Sequence, residues 1–296
     1  MDKIIENVVK RLESDAIAPF VGLHPRLVIV HKEDESITDK EKSYLATARN
    51  VAQMYDVDFV EVVTDSPFEA AREIEAHSKT QITKGILVSS DYGDISRTLY
   101  NMIPPSLDIN CLSAYSIGAC MGSKSRISYR HAPCIAVACL KILEEVNHRS
   151  LDFAGKTALV LGRSLHVGRP LTELLCQHDM TVTLAHSKSW TRFDERPDFG
   201  GFDYVVTSIG KANYWNKQTA LHIGFSGFIV DVGGSRDEEG NLCGDVDRSE
   251  IDGNHITPVE NGVDVVATTV LFAKLFNSAA DYFKNSHGIY KGIANE

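Results

Sequence analysis

The chain has 296 residues, 43% hydrophobic and 24% charged, the balance of a soluble globular protein with one large domain or two of ordinary size. Its net charge of −10 argues against a general nucleic-acid binder and against a partner of anionic membranes. The 6 cysteines, Cys111, Cys120, Cys134, Cys139, Cys176 and Cys243, form no CxxC pair and read as reduced thiols of a cytoplasmic protein. No metal-ligand spacing appears, so no metal is expected.

The N-terminal "MDKIIENVVKRLESD" predicts an amphipathic helix of mixed charge, without the apolar core of a signal peptide. No run reaches the roughly 18 apolar residues of a membrane span. Strand "RLVIVHK" follows, then helix "DKEKSYLATARNVAQMYD" with Leu45, Val51, Ala52 and Tyr55 near one face, then strand "VDFVEVV". "SPFEAAREIEAHSK" carries a Ser cap and Pro at the first helical position. Strand "KGILVSS" precedes a loop, "IPPSLDINCLSAYSIG", and a long helix, "HAPCIAVACLKILEEVN". The polar "HRSLDFAGK" is the expected domain boundary. Beyond it come strand "TALVLG", helix "RPLTELLCQHD", strands "TVTLAHS", "FDYVVTSIG" and "GFIVDVGG", and a long helix, "VVATTVLFAKLFNSAADYFKNS". The short continuous apolar strands suit sheets covered on both faces, and their alternation with helices predicts parallel α/β sheets.

The turn "LGRSLHVGRP" carries the first functional reading. A strand that ends in Gly162 and turns into a helix near Gly168 offers free N–H groups and a helix dipole to phosphates. A plain structural turn of any α/β protein reads the same way, and no G-x-G-x-x-G is present. Where an acidic residue would bind the adenine ribose of NAD, the chain has His186, Ser187 and Lys188. With Arg163 they suit the 2′-phosphate of NADP; a solvated polar loop is the alternative. "TSIGK" (with Ser208 and Gly210) and "DVGGSR" (with Gly234) place glycines at strand carboxyl ends, where doubly wound sheets bind ligands.

"GKTALVLGRSLHVGRPLTELL", "TVTLAHSKS", "TSIGK", "GFIVDVGGSRDEEGNLCGDVD" and "HITPVENGV" resemble, in order and spacing, the methylenetetrahydrofolate dehydrogenase/cyclohydrolase family. The resemblance covers most of Gly155 to Val263 and extends weakly to the whole chain. It implies two α/β domains flanking a cleft, the second a Rossmann-like doubly wound parallel sheet. The expected division is 1–148 plus the C-terminal helix 265–296 as substrate domain, and 149–264 as NADP-binding domain. It also implies a homodimer, NADP as cofactor, and oxidation of methylenetetrahydrofolate followed by hydrolysis of the methenyl product. Gly162, Arg163, Ser164 and Gly168 are then expected at the cofactor phosphates, and Ser187 and Lys188 at the 2′-phosphate. Ser208, Gly210 and Gly234 are expected toward the nicotinamide.

The substrate half departs from the family. Tyr44 is kept, but the lysine one turn on is Ala48, and Arg49 points elsewhere round the helix. The glutamine after "GILV" is Ser89; "DVDG" has become "DINC", keeping Asp108 but putting Asn110 and Cys111 for Asp and Gly. "PGGVGPMT" has become "ENGVDVVA", which places Asn261, Gly262 and Asp264 by the substrate. The expected substrate set is therefore Tyr44, Ala48, Ser89, Asn110, Asn261, Gly262 and Asp264, with Tyr44, Asn110 and His131 as catalytic candidates. Each has a plainer reading: Tyr44 as a core tyrosine, His131 as a solvated loop histidine, Cys111 as a buried thiol without a partner base. The expected function is NADP-dependent oxidoreduction with weak or lost cyclohydrolase activity. A reductase of another imine or iminium compound and an inactive dinucleotide binder are the alternatives.

Overall fold

A computed structural model describes residues 1–122, 128–189, 201–215, 227–249 and 255–286. In chain order the elements are α1 (Asp2–Leu12), β1 (Arg26–His31), α2 (Asp39–Met54), β2 (Asp58–Val63), α3 (Pro67–Ser78), β3 (Thr83–Val88), α4 (Ser96–Met102) and α5 (Ala114–Gly122). Then follow α6 (Cys134–Val146), β4 (Thr157–Leu161), α7 (Gly168–Gln177), β5 (Thr181–Ala185), β6 (Tyr204–Thr207), β7 (Phe228–Asp231), β8 (Ser235–Arg236), β9 (Leu242–Cys243) and α8 (Val263–Ser286). The chain forms two compact units, one of Met1–Val9 with Ile117–Ala267, the other of Lys10–Ser116 with the chain from Thr268.

In the second of these units a parallel three-stranded sheet runs in the order β2-β1-β3. The central β1 is buried from Leu27 to His31, as its continuous apolar run requires. Val28 and Val30 pack with Ile86 and Val88 of β3 against Ala70 and Ile74 of α3 and Leu99 and Tyr100 of α4. The edge strand β2 is only half-buried, so full cover on both faces does not extend to it. Helix α5 starts inside the predicted loop, at "LSAYSIG", and α4 lies in a stretch to which the sequence assigns no element.

The other unit holds a parallel four-stranded sheet in the order β5-β4-β6-β7. The first strand lies inside, with its successor on one side and the third on the other, so the order reverses between β4 and β6. That is the doubly wound arrangement, whose ligand crevice opens at the carboxyl ends of those two strands. Leu159, Leu161, Val205 and Ile229 pack there around Trp215, Val246 and Ile256. The edge strand β5 alternates exposed and covered residues instead of being buried throughout. Helix α6, buried along Cys134–Leu143 except at Ile135, packs on α7 and β7 and so belongs with this sheet. Asn7 ties α1 to it by donating to Glu145 Oε1 at 3.0 Å.

Helix α8 is long and apolar enough to cross a membrane by length and composition, which the sequence reading did not single out. Its window is 72% buried, as in the core helix of a folded domain. Residues 287–296 of the expected C-terminal helix lie outside the described residues.

Candidate functional site

The crevice between β4 and β6 is built by close backbone approach. Gly162 leaves β4 at φ 109°, a conformation that favours glycine, and its N–H donates to Ala185 O at 2.9 Å. A Cβ here would lie 2.6 Å from Ser208 Oγ and closer still to the Ser208 carbonyl. Six residues on, a Cβ at Gly168 would overlap the carbonyl oxygen of Gly162. The two glycines thus let the start of α7 fold back onto the end of β4. Ser164 closes the turn, its Oγ accepting from Val167 N at 3.1 Å and its carbonyl from Arg169 N at 3.1 Å. Ser208 Oγ is shielded from solvent and has no hydrogen-bond partner among the described residues. A buried hydroxyl left so costs about 1–3 kcal/mol, which a ligand oxygen in the crevice would relieve.

Arg163 and Ser187 follow the paired ends Leu161 and Ala185 of adjacent strands, each two residues beyond. Arg163, Ser187 and Lys188 are all exposed. The turn after β5 is fixed by Lys188 N donating to His186 Nδ1 at 3.1 Å and His186 N donating to Ser189 Oγ at 3.1 Å. Three polar or cationic groups at one rim can take a phosphate dianion without burying charge in the fold.

Two buried carboxylates hold the loops on the far side. Asp245 accepts from Ile209 N at 2.6 Å, Gly210 N at 2.9 Å and Lys211 N at 3.0 Å. Asp231 accepts from Thr207 Oγ1, Gly233 N and Asp245 N, each at 3.0 Å, and lies 3.5 Å from the Arg248 guanidinium. A Cβ at Gly233 would overlap Asp245 N and one at Gly244 would overlap Asp231, so both glycines are required for this enclosure. Gly210 sits at φ 77° in open space, and Gly234, next to the enclosed Gly233, is half-buried. Sequence reasoning took "DVGG" and "GDVD" as motif and missed their carboxylates as the parts that shape the loops.

In the three-stranded unit, Leu45, Ala48 and Ala52 form the buried face of α2. Ala48 is 0% exposed, so it is a core position and offers no group to a ligand, contrary to the expected substrate set. Arg49 is turned away and engaged: its Nε and Nη2 reach Glu61 Oε2 at 2.9 Å and Oε1 at 2.7 Å. That pairing holds the Glu61 carboxyl below the usual range, mainly through the Arg49 hydrogen bonds, against its partial burial. Tyr44 is half-buried one turn before Ala48. Ser89 donates to Glu41 Oε1 at 3.0 Å, and Ser90 donates to the same oxygen. Glu41 was not among the predicted residues.

Asp108 is retained for a structural task. Its carboxylate accepts from Leu112 N at 3.3 Å, Ser113 N at 3.0 Å and Ser116 Oγ at 2.7 Å and so braces the turn into α5, whose cap is Ser113, with Oγ accepting from Ser116 N at 3.2 Å. Asn110 is half-buried in the same loop. Cys111, at φ 58°, is not without a basic neighbour as the sequence suggested: Lys274 Nζ lies 3.2 Å from its Sγ. Burial pushes the Cys111 thiol up, and the nearby Lys274 ammonium only partly offsets it, so the group is a buried thiol rather than a nucleophile. His131 ends the short turn before α6 and belongs, with Asn261, Gly262 and Asp264, to the four-stranded unit. Tyr44, Ser89 and Asn110 belong to the other. Asn261 is exposed at φ 54°, Gly262 is buried against the Pro258 carbonyl, and Asp264 lies in the first turn of α8.

Residues 133–283 match the family model of the tetrahydrofolate dehydrogenase/cyclohydrolase NAD(P)-binding domain. The bifunctional protein FolD of Lysinibacillus sphaericus is 34% identical over 194 residues, which span 64% of this chain and 62% of that protein. The bifunctional protein FolD of Clostridium kluyveri is 30% identical over 277 residues, 91% of each chain. A solved structure, the methylenetetrahydrofolate dehydrogenase-cyclohydrolase of Trypanosoma brucei complexed with NADP and an inhibitor, is similar with a TM-score of 0.74 at 21% identity. It covers 96% of both chains and shows the shared fold. With the fold, the glycine-built crevice and a 151-residue domain match in agreement (133 to 283, both ends counted), the chain belongs to the tetrahydrofolate dehydrogenase/cyclohydrolase family of enzymes.

Proposed function

We propose that this chain is an NADP-dependent dehydrogenase of a one-carbon folate, with the cyclohydrolase step weak or lost. The observation that carries the cofactor half is the crevice of Gly162, Gly168 and Ser208, with its unsatisfied buried hydroxyl. When bound there, NADP supplies a nicotinamide ring that accepts a hydride. Gly162, Ser164 and the first N–H groups of α7 hold the phosphates, and Arg163, Ser187 and Lys188 take the 2′-phosphate. Asp245 fixes the backbone of Ile209–Lys211 on the nicotinamide side. Arg163→Ala is expected to weaken NADP binding roughly tenfold, the low end of a charge-assisted contact, and to leave NAD binding nearly unchanged. Calorimetric titration of both cofactors reads this directly, and equal NAD and NADP affinity in the unmutated protein would refute the assignment.

The substrate half supports oxidation better than hydrolysis. Hydride transfer needs chiefly two carbons held about 3–3.5 Å apart. Hydrolysis needs an activated water and mobile protons, and the α2 face carries a buried Ala48 where the family has its lysine. Purified protein is therefore expected to form NADPH from NADP and methylenetetrahydrofolate, while methenyl absorbance decays at close to the buffer rate. Methenyl decay far above that rate would overturn the second half of the reading.

One observation favours a second reading, a reductase of another imine or iminium compound. Asn110 offers no carboxylate to a pterin edge, and that of Asp108 is committed to α5. Failure of any folate to bind, with NADPH still consumed against a smaller imine, would select it. NADP binding without turnover of either the folate or the imine would select the inactive binder.

A further inference from the structure

Glu41 stands at the third position of α2, with Thr38 as its N-cap accepting from Glu41 N at 3.2 Å. In such a box the glutamate side chain ordinarily turns back to the cap N–H. Here it leaves the helix and crosses to the carboxyl end of β3, where Ser89 and Ser90 both donate to Oε1. Ser90 is itself fixed, buried and accepting from Lys32 N at 2.8 Å. The other carboxylate oxygen, Oε2, makes no hydrogen bond to any described residue, and the side chain is half-buried. One oxygen is thus anchored by the protein while the other is left to solvent or a ligand.

The surroundings are acidic. The phenol of Tyr92 is pushed up to about 12 by burial, then by Asp65 and by Glu41. Burial likewise raises Tyr100, with Asp91 and Glu41 adding to it. Three carboxylates therefore act at this end of the sheet, and the ammonium of Lys32 lies over the Tyr92 ring at 5.2 Å. Tyr44 lies one turn further along α2, and Ser89 is itself one of the residues expected at the substrate.

We propose that Glu41 is the charged specificity residue of the substrate half, its Oε2 receiving a cationic carbon–nitrogen group: an iminium, an amidinium or a protonated amine. The inference rests on the assignment of Tyr44 and Ser89 to the substrate site. Glu41 sets a carboxylate two turns before Ala48, presented by two hydroxyls, and a carboxylate attracts a cation. A purely structural Glu41 would only tie α2 to β3, and an amide could do that as well, since its carbonyl oxygen still accepts from both serines.

The test compares ligands that differ in the charge of their one-carbon or carbon–nitrogen unit. The unmutated protein is titrated with 5,10-methenyltetrahydrofolate, a cation, with neutral 10-formyltetrahydrofolate, and with a simple cyclic iminium salt. The same titrations are repeated with Glu41→Gln and Glu41→Asp, with NADP affinity and thermal midpoint as measures of intact folding. The cation is expected to bind tenfold or more tightly than the neutral form, and Glu41→Gln is expected to erase that preference without changing NADP affinity. Glu41→Asp is expected to restore part of it. If the folates fail to bind but the iminium salt binds and needs Glu41, the folate assignment falls and this proposal stands. If a folate binds and Glu41→Gln keeps the full charge preference, the folate assignment stands and this proposal falls. An unchanged charge preference in Glu41→Gln together with an unchanged thermal midpoint would show Glu41 to be a tether alone, and would also overturn the proposal.

Discussion

Asp245→Ala is expected to lower stability by about 3 kcal/mol and to weaken NADP binding tenfold or more. The carboxylate is buried and serves three consecutive backbone N–H groups, those of Ile209, Gly210 and Lys211. Each bond to the carboxylate is charge-assisted and worth about 1.5–3 kcal/mol, less what water recovers at Gly210 and Lys211, which are exposed. The opposing effect is electrostatic. Burial pushes the Asp245 carboxyl above the usual range and the Asp231 charge adds to this, against the three N–H donors. The donors decide the sign, because they are lost together while the charge penalty is spread over a pair that Arg248 also faces. Asp245→Asn should lie between the two, since one amide oxygen still serves two donors but its NH2 meets a third. The raised carboxyl also fixes a pH signature. A group protonated more readily when folded loses stability as pH rises through the window between its unfolded and folded values, and the Asn variant should lack that fall. Urea unfolding at several pH values and calorimetry with NADP measure both effects. An alanine variant as stable as the parent would mean that the loop finds other acceptors.

Much of this architecture is legible because each main strand is a short apolar run and because α2 and α3 carry their own N-caps. Ser66 and Pro67 open α3 as written, and the six-residue spacing of Gly162 and Gly168 marks the crevice. What the sequence does not reveal is set by partners far along the chain. The turn into α5 is braced by Asp108, six residues before the helix starts, so the segment reads as loop. Lys274 reaches Cys111 across 163 positions. Glu41 reads as half of an ordinary capping box, and only its diversion to Ser89 and Ser90, nearly fifty residues on, shows otherwise. The role of Ala48 is a matter of burial: one helix face can line a site or fill a core, and periodicity is the same for both.

Gly168→Ala is expected to weaken NADP binding about a hundredfold, though the substitution adds one methyl group and ordinarily favours a helix. The added carbon would meet the carbonyl of Gly162, with Arg163 Cα 3.2 Å away, and both are backbone. No side chain can rotate to make room, so α7 must retreat from the end of β4 or the turn must open. Either movement separates the first N–H groups of the helix from the glycine turn, and phosphate binding needs them together. Overpacking of this kind costs about 1–3 kcal/mol in stability, so the variant should fold. Gly155→Ala is the matched control. It lies in the same unit at φ 78° with nothing within 4 Å of the added carbon, so it carries backbone strain without a clash. It is expected to cost about 1 kcal/mol and leave NADP affinity as it was. The pair separates a loss of cofactor from a loss of fold. If both variants bound NADP equally well, the approach of Gly168 to Gly162 would be a packing detail, and the cofactor would have to be held elsewhere.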